Sequence, residues 1–438
     1  MKRKPVYWML VVLFLLLMSS FAIYGADSGK TKEIEFVTWS YGVETIADNL
    51  KKLQQLSPDV KVNHKDYSWL DYHDTMVNRF VANNYPDVLY GSDHWLDEWA
   101  SAGWLAPLED YFPQVKTYSK EVANYAREGM TYKGKIYGMS YYADTMDFMY
   151  NQAQLTKAGF KKAPETWEEV YTMAKALKQK GIAQYPIIMA WSQKEGAYPE
   201  AFMSMIYGRH QGGAALFDAK LNPVFNKRNS DAHLTLEWLR KVYKEKLLDP
   251  ASLATAEIDQ IKSMQSGAHT FTIAPQYNMA ELNKPGSGQY AGQFRIALMP
   301  GKSHATVGYV RFYAMTPAAA KKGKDYLEAV WKFFEYNAGR TNGEYKVVER
   351  WAVENGLGFA QLPLFDSPKV RDAFGKWGDV DVIHKQAELA RAKEGMTTWY
   401  GAWDVFTRSE IHKAILGQQS SLATLNNMAA KWKELKAQ

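Results

Sequence analysis

The chain has 438 residues, more than one ordinary hydrophobic core supports, so two domains or one very large one are expected. A hydrophobic content of 47% with 23% charged residues is that of a globular chain and excludes a disordered one. The formal net charge is +6, yet without Lys2, Arg3 and Lys4 at the start 50 basic residues face 47 acidic ones, an excess too mild to argue for a nucleic-acid partner.

The opening MKRK precedes the apolar run VYWMLVVLFLLLM (residues 6–18), then a polar break and the small residues Gly25 and Ala26. This is the layout of a secretory signal peptide spanning residues 1–26, removed on export. The run is shorter than the roughly 20 residues that cross a bilayer as a helix. Tyr24 is bulky for its place three residues before the cut, which keeps an uncleaved anchor as the alternative. There is no cysteine. That excludes disulfides, thiolate metal sites, cysteine nucleophiles and a lipid-modified N-terminal cysteine. An exported chain without a lipid diffuses away unless an outer barrier retains it, so the expected location is the periplasm.

KEIEFVTWS (32–40) alternates apolar and charged residues and predicts a first strand that delivers Trp39 and Ser40 into a loop. A helix is expected over 46–56, and a second strand over DVKVNHKDY (59–67). PDVLYG (86–91) is a short apolar run between turn residues and predicts a buried parallel strand. In the following DHWLDEWASAGWLAPL, Leu96, Trp99 and Ala100 share a helical face and Gly103 ends the helix. Thr166 with Glu169 three residues on makes a capping box. YPIIMAW (185–191), HTFTIAP (269–275), FRIALMPG (294–301) and VGYVRFYAM (307–315) read as strands. Residues 324–337 and 420–435 read as amphipathic helices, the second with Leu422, Leu425, Ala429 and Trp432 on one side. Strands alternating with helices predict an α/β fold whose ligand lies beyond the carboxyl ends of the strands, where Trp39, Asp93 and His94 fall.

Enzyme signatures are absent: no G-x-S-x-G elbow, P-loop, H-E-x-x-H or G-x-G-x-x-G after a strand. GSGQYAG (286–292) lacks the phosphate-loop spacing and its lysine. No pair of the nine histidines has metal-ligand spacing, so neither metal nor cofactor is expected. A glycosidase pair among the many carboxylates is not visible in the sequence, though sequence does not exclude one. The chain is rich instead in aromatics, with 15 Trp and 28 Tyr. Most belong to cores. Several, however, flank polar residues at expected strand ends: Trp39-Ser40, Asp93-His94-Trp95, Tyr141-Tyr142-Ala143-Asp144, Tyr198-Pro199-Glu200, Trp399-Tyr400 and Trp403-Asp404. A sugar ring offers an apolar C–H face and a rim of hydroxyls, which flat rings with neighbouring carboxylates or amides match. Any one pair alone reads as core packing with a capping acid; together they favour a sugar site.

PDVLYGSDHWLDEWASAGWLAPLEDYF and GKIYGMSYYADTMDFMYNQAQLTKAGFKKAPETWEEV resemble the P-D-V…E-x-A-x-x-G-x-L-x-P-L and G-K-x-Y-G-x-P…Y-N-x-x-L-x-x-A-G…P-x-T-W-E-E blocks of extracellular solute-binding proteins of ABC sugar importers (family 1, the maltose-binding type). Met139-Ser140 replaces the usual apolar-Pro. SMQSGAHTFTIAPQY, ALMPG and ILGQQSSLATLNNMA resemble later blocks in the same order. The resemblance implies a type II periplasmic-binding-protein fold: two α/β lobes, a central ligand cleft and hinge crossovers. Residues 27–143 and 310–360 would form one lobe, and 144–309 and 361–438 the other.

The same resemblance implies a ligand site containing Trp39, Asp93, His94, Trp95, Asp144, Tyr198, Glu200, Tyr277 and Trp403. Trp99 and Trp104 are expected in the core. Arg311 has two readings, an ion pair bridging the lobes or a bidentate partner for a uronic carboxylate. The implied function is a monomeric, non-catalytic receptor that passes a mono- or oligosaccharide, neutral or uronic, to the membrane permease subunits of an ABC importer. The competing readings are a secreted carbohydrate-active hydrolase or lyase with an aromatic groove, and a receptor for a polyamine or iron. Missing tyrosine–histidine metal spacing and the abundance of Trp count against the last.

Overall fold

Strand β1 (Lys32–Trp39) lies parallel to β2 (Val60–Tyr67) in full register and, through Phe36 and Val37, parallel to β3 (Val88–Ser92). These are elements of the computed structural model, which describes residues 31–194 and 198–438; the leader expected over 1–26 lies outside the described residues. Helix α1 (Val43–Leu56) joins β1 to β2, and α2 (Trp69–Val81) joins β2 to β3. Ser68 caps α2 by accepting the Asp71 N–H. Every residue of β3 is buried, as its unbroken apolar run predicts for a strand covered on both faces.

The sheet continues through a strand far away in sequence. Strand β4 (Gly138–Asn151) is 14 residues long and changes partners along its length. From Gly138 to Thr145 it pairs antiparallel with β7 (Gly308–Met315), which in turn pairs antiparallel with β3. From Met146 to Asn151 it pairs with β5 (Phe271–Pro275) on one side and β6 (Phe294–Ala297) on the other. The resulting order is β2-β1-β3-β7-β4-β5, with β6 also on β4. A short ribbon, Thr131–Tyr132 against Lys135–Ile136, stands apart.

Most expected elements are found within a few residues of their predicted limits. The short helix α3 (Leu96–Ser101) buries Leu96, Trp99 and Ala100, and Gly103 follows it at φ +74°. The capping box of Thr166 and Glu169 starts helix α4 (Trp167–Gln179). The C-terminal helix Ser421–Lys436 buries Leu425, Ala429 and Trp432, while Leu422 is only half-buried. Residues 185–191 are the exception: they form no ladder strand, only bridges from Ile187 to Leu248 and Phe271. Pro186 has no N–H to give, the Met189 N–H goes to Ser252 Oγ, and the Trp191 N–H goes to the Ser252 carbonyl.

Two buried clusters share the interior. The larger runs from Ile34 and Phe36 through Phe312 and Phe333 to Trp403 and Trp432; the smaller joins Met149, Phe294 and Ile296 to Phe359, Phe365 and Phe374. Helix Lys346–Asn355 serves both, with Val347 and Trp351 in the larger and Val348 and Ala352 in the smaller. Just beyond it the chain presses against β4: the Ala143 N–H donates to the Gly358 carbonyl, and Gln361 Nε2 donates to the Ser140 carbonyl. A Cβ on Gly358 would sit 2.3 Å from the Ala143 oxygen and 2.9 Å from Asp144 Oδ1. Since the first of those atoms is backbone, Gly358→Ala is expected to lower stability by about 1–3 kcal/mol. Urea denaturation measures it; an unchanged midpoint would show that β4 gives way there.

Candidate functional site

The parallel strands β1, β2 and β3 end on the same side of the sheet, and each end delivers a side chain to one cavity. Trp39 closes β1, Trp69 follows β2 by two residues and His94 follows β3, while Asp93, expected at the cleft, is buried and not part of the cavity lining. On β7, Tyr309 and Arg311 are two apart and share a face, so both point the same way. Tyr142 and Met146 come from β4 where it changes partners, and Pro275 and Tyr277 from the end of β5. Glu200, near the start of helix α5 (Tyr198–Arg209), and Glu257, at the start of helix α6 (Glu257–Gln265), complete the wall. The cavity measures about 320 Å³.

Its aromatic side is built in depth. The Trp39 ring stacks on Tyr41 at 5.0 Å and meets Trp69 edge-on at 5.2 Å. Trp95 does not line the cavity; it backs Trp69 at 5.4 Å and packs on Tyr72, Tyr90 and Trp99. The three tryptophans of GSDHWLDEWASAGW are therefore support and core, with Trp99 fully buried and Trp104 stacked on Phe80. The hydroxyls of Tyr142 and Tyr309 meet at 3.3 Å. Burial holds both well above the usual phenol range, so both are neutral donors.

The polar side is a buried charge cluster. Arg311 Nη1 donates to Asp93 Oδ1 at 2.6 Å, and the guanidinium lies 4.8 Å over the Tyr309 ring. Arg311 sits opposite Ser92 in the β3–β7 ladder, so its ion pair closes between neighbouring strands of one sheet. The group that reaches across is Lys393, which lies 3.5 Å from Asp93 Oδ2 and 3.2 Å from Glu200 Oε1. Burial raises the Asp93 carboxyl, but the charges of Lys393 and Arg311 outweigh it and hold it below its ordinary value. Burial, then the Lys393 charge, pushes His94 well below its ordinary value, so the ring is neutral.

Asp144 supports the wall rather than forming it. It is buried beneath Tyr142 and Tyr277, accepting from the Thr145 N–H at 2.9 Å, the Tyr277 N–H at 3.2 Å and Tyr142 Oη at 3.3 Å. Burial lifts its carboxyl to about 7, and that of its buried neighbour Asp147 well above the carboxylate range. Tyr277 does line the cavity, its hydroxyl donating to Glu257 Oε1. Trp403 is not a cleft residue: it is buried against Phe217 and Trp432, with Nε1 donating to the Met428 carbonyl. The Tyr198 side chain lies outside the described residues.

Trp69, Tyr90, Met146, Glu257, Pro275, Tyr309 and Lys393 are not among the residues expected from the sequence, and Tyr142 is named there only as one of the aromatics beside Asp144. Trp69 obeys the strand-end rule that selects Trp39, and Tyr309 shares the strand face of Arg311, so both carried a signal. Glu257 and Lys393 carried none, since a helix start and a loop bring them in. Among the described residues no group of three or more His, Cys, Asp or Glu could hold a metal ion, and no helix is long and apolar enough to cross a membrane.

Residues 39–342 match the family model of the bacterial extracellular solute-binding proteins. The chain belongs to that family. This solute-binding protein is 24% identical over 318 residues to the maltotriose-binding protein of Pyrococcus abyssi, covering 72% of this chain and 63% of that one. Three curated relatives that it matches are aligned over 43%, 63% and 31% of their own lengths. Among solved structures, maltose-bound MalE3 of T. maritima superposes with a TM-score of 0.74 at 20% identity, over 92% of this chain and 99% of that one. The sugar-binding protein MalE of Xanthomonas citri gives 0.76 at 19% identity, over 92% and 97%. The fold of this solute-binding protein is the two-lobed maltose-binding type.

Asp144 gives the site a measurable pH signature. Its folded value of about 7 lies above the unfolded value of 3.8, so its contribution to stability is full below about pH 4 and lost as pH rises through 7. Asp144→Asn is neutral at every pH, so its stability relative to wild type should rise by on the order of 3 kcal/mol between pH 4 and pH 8, whatever offset the amide brings by replacing one acceptor oxygen with a donor. Melting curves at the two pH values test this. A stability difference from wild type that is the same at both pH values would mean the carboxylate is fully compensated where it sits.

Proposed function

We propose that this solute-binding protein captures a neutral sugar, of oligosaccharide size, in the aromatic cavity and delivers it to the permease subunits of an ABC importer. The observation that carries the reading is the cavity wall itself: Trp39, Trp69, Tyr142, Tyr277 and Tyr309 present rings or hydroxyls beside Glu200, Glu257 and His94. Rings take the C–H faces of a pyranose and the polar groups take its hydroxyls. The relatives named for maltotriose, maltose and sugar support the same class.

Charge favours a neutral ligand over a uronate. Arg311 is already paired with Asp93, and Lys393 with Glu200 and Asp93, so two cations meet two carboxylates around the site. The two carboxylates on the cavity wall are engaged as well, Glu200 by Lys393 and Glu257 by Tyr277 and Asn278. A non-catalytic receptor fits that arrangement better than a hydrolase needing a free acid and a free base. We assign residues 27–143 and 310–360 to one lobe and 144–309 and 361–438 to the other. The partner change of β4 between Thr145 and Met146 and the start of β7 at Gly308 support the first two passages. The third spreads over the shared helix Lys346–Asn355 and the contacts of Gly358 and Gln361 with β4. Export by the leader and periplasmic residence as a monomer complete the reading.

A thermal-shift screen of maltose, maltotriose, other neutral saccharides and uronates, followed by calorimetry, tests it. Stabilisation by neutral saccharides, with the sugar recovered intact, is the expected result; cleavage of the sugar or stabilisation by uronates alone would overturn it. Trp69 is 42% exposed and should report the cavity without unfolding the chain. Trp69→Ala is expected to weaken sugar binding by about 1–3 kcal/mol, by analogy with stacking of bases on aromatic side chains. Trp403→Ala should instead cost roughly 3–5 kcal/mol of stability, as for any large buried ring. If the two variants exchange these effects, the cavity is not where the sugar binds.

A further inference from the structure

Lys393 has a side chain with 0% exposure, in the loop between helices Val380–Leu389 and Tyr400–Ile415. The loop is firmly seated. Glu394 accepts the N–H groups of Ala215, Leu216 and Phe217 and pairs with Arg391 at 2.7 Å. Arg391 in turn lies 4.7 Å over the Tyr207 ring. From this base Lys393 Nζ reaches Glu200 Oε1 at 3.2 Å, Asp93 Oδ2 at 3.5 Å and His94 Nε2 at 2.5 Å.

The contact with His94 fixes a proton. An ammonium has three N–H donors and no lone pair. Nε2 of His94 must then be the acceptor, and a neutral imidazole with a lone pair on Nε2 carries its hydrogen on Nδ1. The charges facing the ring agree: Asp93 from its own segment, Arg311 from β7, Glu200 from α5 and Lys393 from the loop, with Asp404 acting on Glu200 from behind. A protonated His94 would add a third cation to two carboxylates and would face the Lys393 ammonium at contact distance.

We propose that Lys393 is the positioning residue of the cleft. It ties the wall built from β3 and β7 to the wall built from α5, and it fixes His94 as the Nδ1–H tautomer, a neutral hydrogen-bond donor on the cavity wall. The ligand atom that faces His94 is then an acceptor oxygen. That last step rests on the sugar-binding reading; the tie and the tautomer do not.

Long-range proton–nitrogen NMR of the 15N-labelled full chain, with His94 assigned through His94→Gln, reads the tautomer directly and needs no ligand. Wild-type His94 should show Nδ1–H and stay neutral across about pH 5–8. An Nε2–H ring, or one that protonates in that window, overturns the proposal. Lys393→Met removes the ammonium and leaves Asp93 and Glu200 beside the ring, so His94 should titrate at higher pH than in wild type. Lys393→Arg, which also offers only donors, should restore the neutral Nδ1–H form. A His94 signal indifferent to Lys393→Met overturns the proposal, and if that variant does not fold, the wild-type tautomer alone decides. With maltotriose as the calorimetric probe, Lys393→Met should bind at least about tenfold more weakly, and equal binding would reduce Lys393 to a structural tie. Should wild type bind no saccharide, the sugar reading falls while the NMR result still judges this one.

Discussion

A single strand carries the architecture. Buried backbone N–H and C=O groups must find partners, and β4 finds them in two different places along its 14 residues. Its first half completes the sheet of β1, β2, β3 and β7, and its second half founds the pairing with β5 and β6. At the exchange point, between Thr145 and Met146, the ladder is handed from one set of partners to the other. The side chains on either side, Tyr142 and Met146, face the cavity. The cleft lies where it does because one strand belongs to both halves. Asp144 sits at the same point, and burial holds it and its neighbour Asp147 above the usual carboxylate range.

Polar order at the cleft follows from the low dielectric that burial creates. Charges placed there are costly unless paired and hydrogen-bonded. The protein meets this with a chain of alternating sign, Arg311–Asp93–Lys393–Glu200, in which each internal member touches two neighbours of opposite charge. The cluster therefore presents no net charge to a ligand, and the rings beside it supply apolar area. Such a wall can recognise hydroxyls through neutral donors and engaged acceptors without demanding an ionic group in return.

Much of this was legible in the sequence, and the part that was not has a physical reason. The strands β1, β2, β3 and β7, the capping box at Thr166 and the burial of Trp99 follow from period, caps and apolar runs, which act over a few residues. Trp39 and His94 could be read because the carboxyl ends of strands are a topological address, whereas Tyr277 and Arg311 came from comparison with the family pattern; all four line the cavity. Trp403 was misplaced because an aromatic next to an acid looks the same whether the ring faces water or Phe217 and Trp432. Asp144 was read as a ligand contact, since sequence shows a carboxylate near the cleft but not the three donors that occupy it. Lys393 could not be read at all. Its meaning lies in contacts with residues about 190 and 300 positions away.

Preorganisation is where these features meet. Binding pays for every side chain that it must immobilise, on the order of 0.5–1.5 kcal/mol for a flexible one. In this cleft the ring facing the cavity at Trp69 is held from behind by Trp95, which is itself held by Tyr72 and Trp99. Trp39 is held by Tyr41 and by its own N–H to Tyr141 Oη at 3.4 Å. Tyr277 is held by Glu257, and Asp144 fixes the backbone beneath it. The aromatic abundance first noticed in the composition is therefore only in part contact surface. Another part is core far from the cleft, such as Trp167 on Trp238 and Phe217 on Trp432, and a third is the packed second layer that keeps a few rings still, so that little ordering remains to be done when a ligand arrives.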